Sequence, residues 1–361
     1  MRAVILAGGT STRLRPLTDS IPTPLMPLVN VPLVERVIGY LAGHGVRRVT
    51  LALGYQADCF GRHMARTRYP IPVDHVIENE PLGTAGAARL ARGDLEERLV
   101  VMNGDIFTNL DLAAMVASHI HRGADISIAV KRVADPSRYG LVLTGADGTV
   151  LGFVEKPRPE EAASDEINAG IYVFEPWVLR EIPASKPCSL ERELFPSLIA
   201  RGARVIAYRH NCYWSDLGTP EDYLGAHRDI LRRVIPADVP GKKVNGAWIG
   251  EEVEISPKAE IEAPAVIGDG CRIGPGAHVG RYSVLGRGTV LAKRARVERS
   301  VIWERNRLEE DCRVCGAILG DMCVVCPEAE VPEGTVCASG TRIPARSHSV
   351  PEMALVGASR R

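Results

Sequence analysis

Residues 2–30 read RAVILAGGTSTRLRPLTDSIPTPLMPLVN, and this stretch sets the reading of the whole chain. The apolar run Ala3–Ala7 meets Gly8-Gly9, followed by Thr10, Ser11, Thr12, Arg13, Leu14, Arg15, Pro16 and Leu17. An apolar run broken by paired glycines predicts a buried strand that opens into a tight loop. With no Cβ in the way, glycine backbone N–H groups approach an anion closely. Arg13 and Arg15 add fixed positive charge beside that loop. Strand, glycine loop and arginine, in that order, point to a nucleoside triphosphate site.

Outward from this stretch, to about Arg232, short apolar runs alternate with helical patterns. Strands are predicted at Ala3–Ala7, Val49–Leu53, Val73–Ile77, Leu99–Asn103 and Ile126–Val130. Leu33–Leu41, Gln56–Arg68, Thr84–Arg92 and Leu112–His121 have helical spacing. Strands alternating with helices imply a mostly parallel sheet covered on both faces. Such sheets bind ligands at the carboxyl ends of their strands. The glycine loop and the Asn103-Gly104-Asp105 turn both fall at such ends.

Residues Ile235–Lys243 (IPADVPGKK) form a predicted linker, and then the rhythm changes. Apolar residues recur every six positions at Ile249, Ile255, Ile261, Ile267, Ile273, Val279, Leu285, Leu291, Val297 and Trp303. Two residues before each stands a small or β-branched residue, from Ala247 and Val253 through Cys271 and Ser283 to Ala295 and Val301. The register slips near Arg305–Gly316 and resumes at Leu319, Val325, Val331, Cys337 and Ile343. This period predicts a hexapeptide β-helix: each hexad supplies a short strand and a turn, and stacked coils bury a core that one coil leaves open. The expected organisation is a first domain over residues 1–232, a linker over 233–244, the β-helix over 245–345 and a tail over 346–361.

The bulk composition narrows the function. The 361 residues carry 44 basic and 44 acidic side chains, a formal net charge of zero, with no block of like charge. Nucleic acid and anionic membrane are therefore not expected partners. No apolar run reaches the length of a membrane span, and the N-terminal run is too short for a signal peptide. The nine cysteines then read as reduced thiols in a cytoplasmic protein. Cys312-x-x-Cys315 and Cys323-x-x-Cys326 have the form of zinc ligands, but the seven residues between the pairs are fewer than in the usual knuckle. The six-residue period explains them as small buried residues.

The N-terminal stretch resembles the signature of the sugar-1-phosphate nucleotidylyltransferases, or NDP-sugar pyrophosphorylases, roughly G-G-x-G-T-R-L-x-P-L-T followed by P-K-P-L. Gly8, Gly9, Thr12, Arg13, Leu14, Pro16, Leu17, Thr18, Pro22, Pro24 and Leu25 match it. Ser11 stands in place of the third glycine and Thr23 in place of the lysine, which in the family contacts phosphate. Thr23 offers a neutral hydrogen bond there and no charge; loss of one preorganised charge at a transition state costs on the order of 3–4 kcal/mol. The resemblance extends along the chain and implies a Rossmann-like nucleotidyltransferase domain followed by a left-handed parallel β-helix, which mediates subunit contacts in the family. Ser189-Leu190-Glu191-Arg192-Glu193-Leu194-Phe195-Pro196 most resembles the S-x-E-x-E-x-F-P element of the mannose-1-phosphate guanylyltransferases.

By residue, the resemblance implies the following chemistry. A sugar-1-phosphate oxygen attacks the α-phosphorus of an NTP and pyrophosphate leaves, with Mg2+ as cofactor. Arg13 and Lys156, the latter in Phe153-Val154-Glu155-Lys156-Pro157, are the catalytic cations, on the triphosphate and the sugar phosphate. Leu6, Ala7, Gly8, Gly9, Gly83 and Thr84 meet the nucleotide. Tyr139, Gly140, Glu155 and Asn168 meet the sugar hydroxyls. Asp105, in the Gly104-Asp105 turn, and Asp216, in Trp214-Ser215-Asp216-Leu217-Gly218-Thr219-Pro220, hold the metal. Read alone, Asp105 is a turn aspartate and Asp216 sits near a helix cap.

Three functions compete. The first is a working transferase that makes an NDP-sugar, with GDP-mannose favoured, and that self-associates through the β-helix. The second is a weak or inactive homologue, a sugar-nucleotide-binding regulatory subunit, motivated by Thr23 and Ser11. The third makes the β-helix an acyltransferase, for which His278 is the one histidine within the regular coils.

Overall fold

The computed structural model describes residues 1–93, 96–155, 164–183 and 186–347. The chain forms two compact units. One comprises Met1–Gly9 and Val34–Ser215; the other comprises Thr10–Leu33 and the residues from Asp216 onward.

The first unit is built on a nine-stranded sheet. Strand β1 (Arg2–Ala7) lies between β2 (Arg48–Leu53) and β4 (Leu99–Asn103), with β3 (Val73–Ile77) beyond β2, all parallel. Val4, Ile5, Leu51, Ala52, Val100 and Val101 are buried, as expected for strands covered on both faces. Helices α1 (Leu33–Gly43), α2 (Ala57–Met64), α3 (Gly83–Ala91) and α4 (Leu112–His121) provide the crossovers. Helix α2 is shorter than its sequence pattern. Gln56 is left-handed (φ 55°), and past Ala65 the bonding tightens to Arg66 N–H on His63 O, which ends the helix.

Beyond β4 the sheet turns antiparallel. Strand β8 (Glu166–Phe174) runs against β4, β5 (Ile126–Arg132) and β6 (Gly140–Thr144); β7 (Val150–Glu155) pairs with β6, and β9 (Val205–Arg209) runs parallel to β5. The register of β8 on β5 shifts between Asn168 and Tyr172. Gly170 lies in this irregularity with φ 70°, and a Cβ there would sit 2.6 Å from Asn103 Nδ2. Only glycine fits both the angle and the space. Tyr172, Phe174 and Phe195 form the aromatic centre of the core, with Phe195 5.6 Å and 6.0 Å from the other two rings.

The second unit is a stack of short parallel strands in three sheets, consistent with a β-helix. Ile267, Ile273, Val279, Leu285, Leu291 and Val297 follow at six-residue steps and are all buried. The next inward residue is Ile302, five residues on, paired with Leu285 and Leu319. A second five-residue step separates Val314 from Leu319. The six-residue period predicts the slip later, with Trp303 inward and Val301 at a corner. One residue fewer after Val297 moves these roles to Ile302 and Ser300. Ser300 fills the short corner: its Oγ donates to Glu298 O (2.7 Å) and accepts from Ala317 N (3.1 Å). Asn306 does the same one corner on, donating to Trp303 O and Gly320 O and accepting from Cys323 N.

The three sheets differ in their outward residues. On two of them, Arg272, Arg307, Arg342, Arg296 and Arg313 are exposed. On the third, Val266, Val284, Val301, Ile318 and Val336 are buried. An apolar outer face needs a cover, and this unit carries two candidate covering pieces: the arm formed by residues 10–33, and helix α5 (Pro220–Leu231). Asn30 Nδ2 donates to Leu285 O (2.8 Å), Trp303 Nε1 donates to Tyr223 OH (3.1 Å), and the Tyr223 hydroxyl donates to Pro27 O. Val29 N donates to His227 Nδ1 (3.3 Å). Helix α5 starts where the sequence predicts: Thr219 caps it by accepting from Asp222 N (3.2 Å), with Pro220 in the first turn.

Candidate functional site

In the first unit the carboxyl ends of β1, β2, β3 and β4 meet. Gly8 and Gly54 pack backbone to backbone; a Cβ on Gly8 would lie 2.9 Å from Glu78 Oε1 and 3.4 Å from Gly54 N, whereas one on Gly9 would meet nothing within 4 Å. Gly104 N donates to Leu6 O (2.9 Å), so the turn that carries Asp105 is tied to the strand that carries Leu6 and Ala7. Glu78 Oε2 accepts from Leu82 N (2.9 Å), one residue before Gly83. Burial raises the Glu78 pKa, against the opposing pull of that N–H. Gly83 has φ 71°, and a Cβ there would lie 2.6 Å from Cys188 O. The glycine therefore lets the segment at Cys188, just before the helical turn Leu190–Leu194, close on the start of α3, where Ala85 N donates to Cys188 O (3.0 Å).

Around Glu191 a polar network joins three segments. Glu191 Oε1 accepts from Tyr172 OH (2.8 Å) and Asn168 Nδ2 (3.3 Å). Oε2 accepts from Ser189 Oγ (3.1 Å) and Thr84 Oγ1 (3.3 Å). Asn168 Nδ2 also donates to Tyr172 OH (2.8 Å), and Asn168 Oδ1 accepts from Gly170 N (3.0 Å). Tyr172 is fully buried, and its hydroxyl pKa is raised well above the ordinary value, first by burial and then by Glu191. Nearby, Trp214 Nε1 donates to Ala169 O (2.9 Å) and stacks edge-on with Tyr139 at 5.6 Å. Gly140 pairs with Glu155 across the β6–β7 hairpin. The first unit thus gathers the glycine loop, the Gly83-Thr84 helix start, Asp105, Tyr139, Gly140 and Asn168.

The second unit holds Arg13 and Asp216. Arg13 Nη2 lies 3.5 Å from Asp216 Oδ2, with the arginine side chain half exposed and the aspartate 13% exposed. Gly218 lies under this pair. Arg15, also half exposed, pairs with Asp19 at 3.2 Å. Thr23 begins a 3-10 turn (Thr23–Leu25) and is 2% exposed, and its Oγ1 finds no partner among the described residues. Asp105 belongs to one unit and Asp216 to the other. Among the described residues no three His, Cys, Asp or Glu side chains gather as a ligand cluster. Mg2+ does not need one, since it takes one or two carboxylates and completes its shell with substrate phosphates and water. Asp105 and Asp216 are each partly buried, and a carboxylate is a ligand type that Mg2+ accepts.

Lys156 lies outside the described residues, as does most of the 346–361 tail. Cys312 and Cys323 are buried, with their thiol pKa values raised, to about 12 and about 11, mainly by burial. Cys323 Sγ donates to Ala338 O (3.2 Å). These are core thiols. His278 is buried between Glu262 (3.2 Å) and Glu298 (3.7 Å). No sequence motif singles out Glu78, and Trp214 and Glu191 stand in the sequence only as parts of longer motifs. Glu78 had a signal, an acidic residue at the end of a predicted strand; nothing short of the fold brings Glu191 to Asn168, 23 residues away.

A profile described as Nucleotidyl transferase matches residues 2–233, and one described as GMPPB C-terminal domain matches residues 243–341. The chain is 33% identical over 285 residues to a mannose-1-phosphate guanylyltransferase of Mycobacterium tuberculosis, covering 73% of this chain and 79% of that protein. It is 37% identical over 267 residues to a mannose-1-phosphate guanylyltransferase catalytic subunit beta of Xenopus tropicalis, covering 72% and 73%. It is 34% identical over 343 residues to a UTP–glucose-1-phosphate uridylyltransferase of Synechocystis sp., covering 90% and 88%. Among solved structures, HddC of Yersinia pseudotuberculosis in complex with GMP-PN is similar, with a TM-score of 0.55 and 33% identity over 62% of this chain and 97% of that one.

Proposed function

Because the chain belongs to the nucleotidyl transferase family, and within it to the sugar-1-phosphate nucleotidyltransferases, we propose that it joins mannose-1-phosphate to GTP, giving GDP-mannose and pyrophosphate. The observation that carries this reading is the meeting of the Gly8-Gly9 loop, the Gly83-Thr84 helix start and the Asn168–Gly170 bend at one end of one sheet, the last two linked through Glu191 and the first set beside Glu78. Glu191 lies in the element that resembles the guanylyltransferases. The relatives named for mannose-1-phosphate and the match of the C-terminal half favour this sugar and base over UTP and glucose-1-phosphate.

In this reading Leu6, Ala7, Gly8, Gly9, Gly83 and Thr84 bind the nucleotide, Arg13 the triphosphate and Lys156 the sugar phosphate. Tyr139, Gly140, Glu155 and Asn168 take the sugar hydroxyls. Asp105 and Asp216 hold Mg2+, which when bound neutralises phosphate charge. The sugar phosphate oxygen forms its bond to the α-phosphorus as the bond to pyrophosphate breaks, and the cationic side chains spread the developing charge. Self-association through the β-helix and a cytoplasmic location, suited to nine free thiols, belong to the same reading.

The test is pyrophosphate release from GTP, dTTP or UTP with mannose-1-phosphate or glucose-1-phosphate and MgCl2. The highest kcat/KM is expected with GTP and mannose-1-phosphate. A higher value with UTP and glucose-1-phosphate would reassign the substrates, and no turnover with any pair would refute the activity. One observation favours a second reading, a regulatory homologue: buried Thr23 puts an uncharged side chain where the family has its lysine. GDP-mannose binding without turnover would establish it.

A further inference from the structure

We propose that Glu191 is a positioning residue that fixes Asn168 as a hydrogen-bond acceptor for one hydroxyl of the sugar. The inference rests on the reading above, in which Asn168 lines the sugar pocket.

A carboxylate only accepts. The single proton of the Tyr172 hydroxyl therefore goes to Glu191 Oε1, at 2.8 Å. The Tyr172 oxygen is left to accept, and its partner at 2.8 Å is Asn168, which must turn its NH2 toward it. The second N–H of that amide meets Glu191 Oε1 at 3.3 Å. Both donors of Asn168 are then committed, and its Oδ1 faces the other way. There it accepts from Gly170 N (3.0 Å) and keeps one lone pair. The carboxylate is itself held at its other oxygen by Ser189 and Thr84. The Thr84 oxygen in turn accepts from Leu190 N (2.9 Å), so its proton is available to Glu191. Every donor in the network has one consistent direction, and the ligand meets an acceptor at Asn168. Because Thr84 opens α3, the same carboxylate ties the sugar-facing strand to the nucleotide-facing helix.

Glu191→Gln keeps the shape and removes the direction. A glutamine amide can donate to the Tyr172 oxygen, which turns the Tyr172 proton toward the Asn168 NH2 and leaves Gly170 N–H alone to hold Asn168 Oδ1. The experiment measures turnover with mannose-1-phosphate and its monodeoxy analogues, and calorimetric binding of GDP-mannose and its monodeoxy analogues. Wild type is expected to lose roughly tenfold in kcat/KM and affinity for the analogue lacking the hydroxyl that Asn168 accepts. In Glu191→Gln, KM for mannose-1-phosphate is expected to rise roughly tenfold with kcat within about twofold, and the penalty for that analogue to fall to about twofold. Tyr172→Phe removes the relay hydroxyl by another route and is expected to show the same flattened pattern. Retention of the wild-type pattern in both variants overturns the inference, as does an equal loss for every sugar alongside a lowered Tm. Wild type that binds the GDP-sugars without turning over refutes the activity, while the binding series still decides the role of Glu191.

Discussion

Gly218→Ala separates the chemistry of the Arg13–Asp216 pair from the stability of the fold. An added Cβ would lie 3.0 Å from Arg13 Cζ and 2.9 Å from Asp216 Oδ1, and closer still to Arg13 Nη2. The guanidinium is the easiest of these to move, because the Arg13 side chain is 51% exposed and its contact to Asp216 is 3.5 Å. Its displacement into solvent costs little stability, since an exposed ion pair contributes about 0–1 kcal/mol. The Gly→Ala change offsets part of even that by lowering the entropy of the unfolded chain, by about 0.4–1 kcal/mol. Catalysis behaves differently. If Arg13 meets the triphosphate in the transition state, misplacing that preorganised charge costs on the order of 3–4 kcal/mol, or about 100- to 1000-fold in rate. The assay pairs pyrophosphate release with a thermal melt: a fall of that size with Tm almost unchanged is expected. A Gly218→Ala enzyme within about threefold of wild type would refute the placement of Arg13 in the reaction.

Trp303→Phe removes the indole N–H that reaches Tyr223 and is expected to destabilise the second unit by about 1–3 kcal/mol, with faster amide exchange in residues 25–29. His210 has its pKa lowered to about 4, first by burial and then by Lys131. The unfolded chain therefore binds more protons between pH 6.5 and 4, so this contribution is fully present above 6.5 and is lost as pH falls through 4. It amounts to about 3 kcal/mol. Urea melts at pH 7 and pH 4 should show a smaller acid loss in His210→Gln than in wild type; equal losses would count against it.

The parallel half of the sheet was legible because β1, β2 and β4 are buried on both faces, the edge strand β3 begins and ends on apolar residues, and the helices have helical spacing. Val73–Ile77, Leu99–Asn103 and Leu112–His121 fall where the pattern puts them. The antiparallel strands Gly140–Thr144, Val150–Glu155 and Glu166–Phe174 were not predicted: the first two form a hairpin with a register shift at Val150–Gly152, and β8 pairs with distant segments and is irregular at Gly170. In the repeat, the inward residues from Ile267 to Val297 were legible, Ile255 in the first coil is exposed instead, and the two five-residue corners were not legible. A missing residue shifts the period without marking its place, and the large apolar Trp303 fits the old register. The motif residues of the site were legible through their spacing. Glu78 and Glu191 became visible only with partners brought from other segments, and no local pattern could have shown that the arm bearing Arg13 would belong with the C-terminal coils.

That last feature makes the two units of this chain interleaved along the sequence rather than consecutive. The thirty-odd residues that open the sequence contribute their first strand to one body and their arm to the other. A graft of the C-terminal half onto another enzyme, cut near residue 232, would leave behind both candidate covering pieces, the arm over residues 10–33 and helix α5. Transplants are then expected to succeed only when both pieces travel together, and substitutions in the outer valines of that face to be answered by changes within the first thirty-three positions.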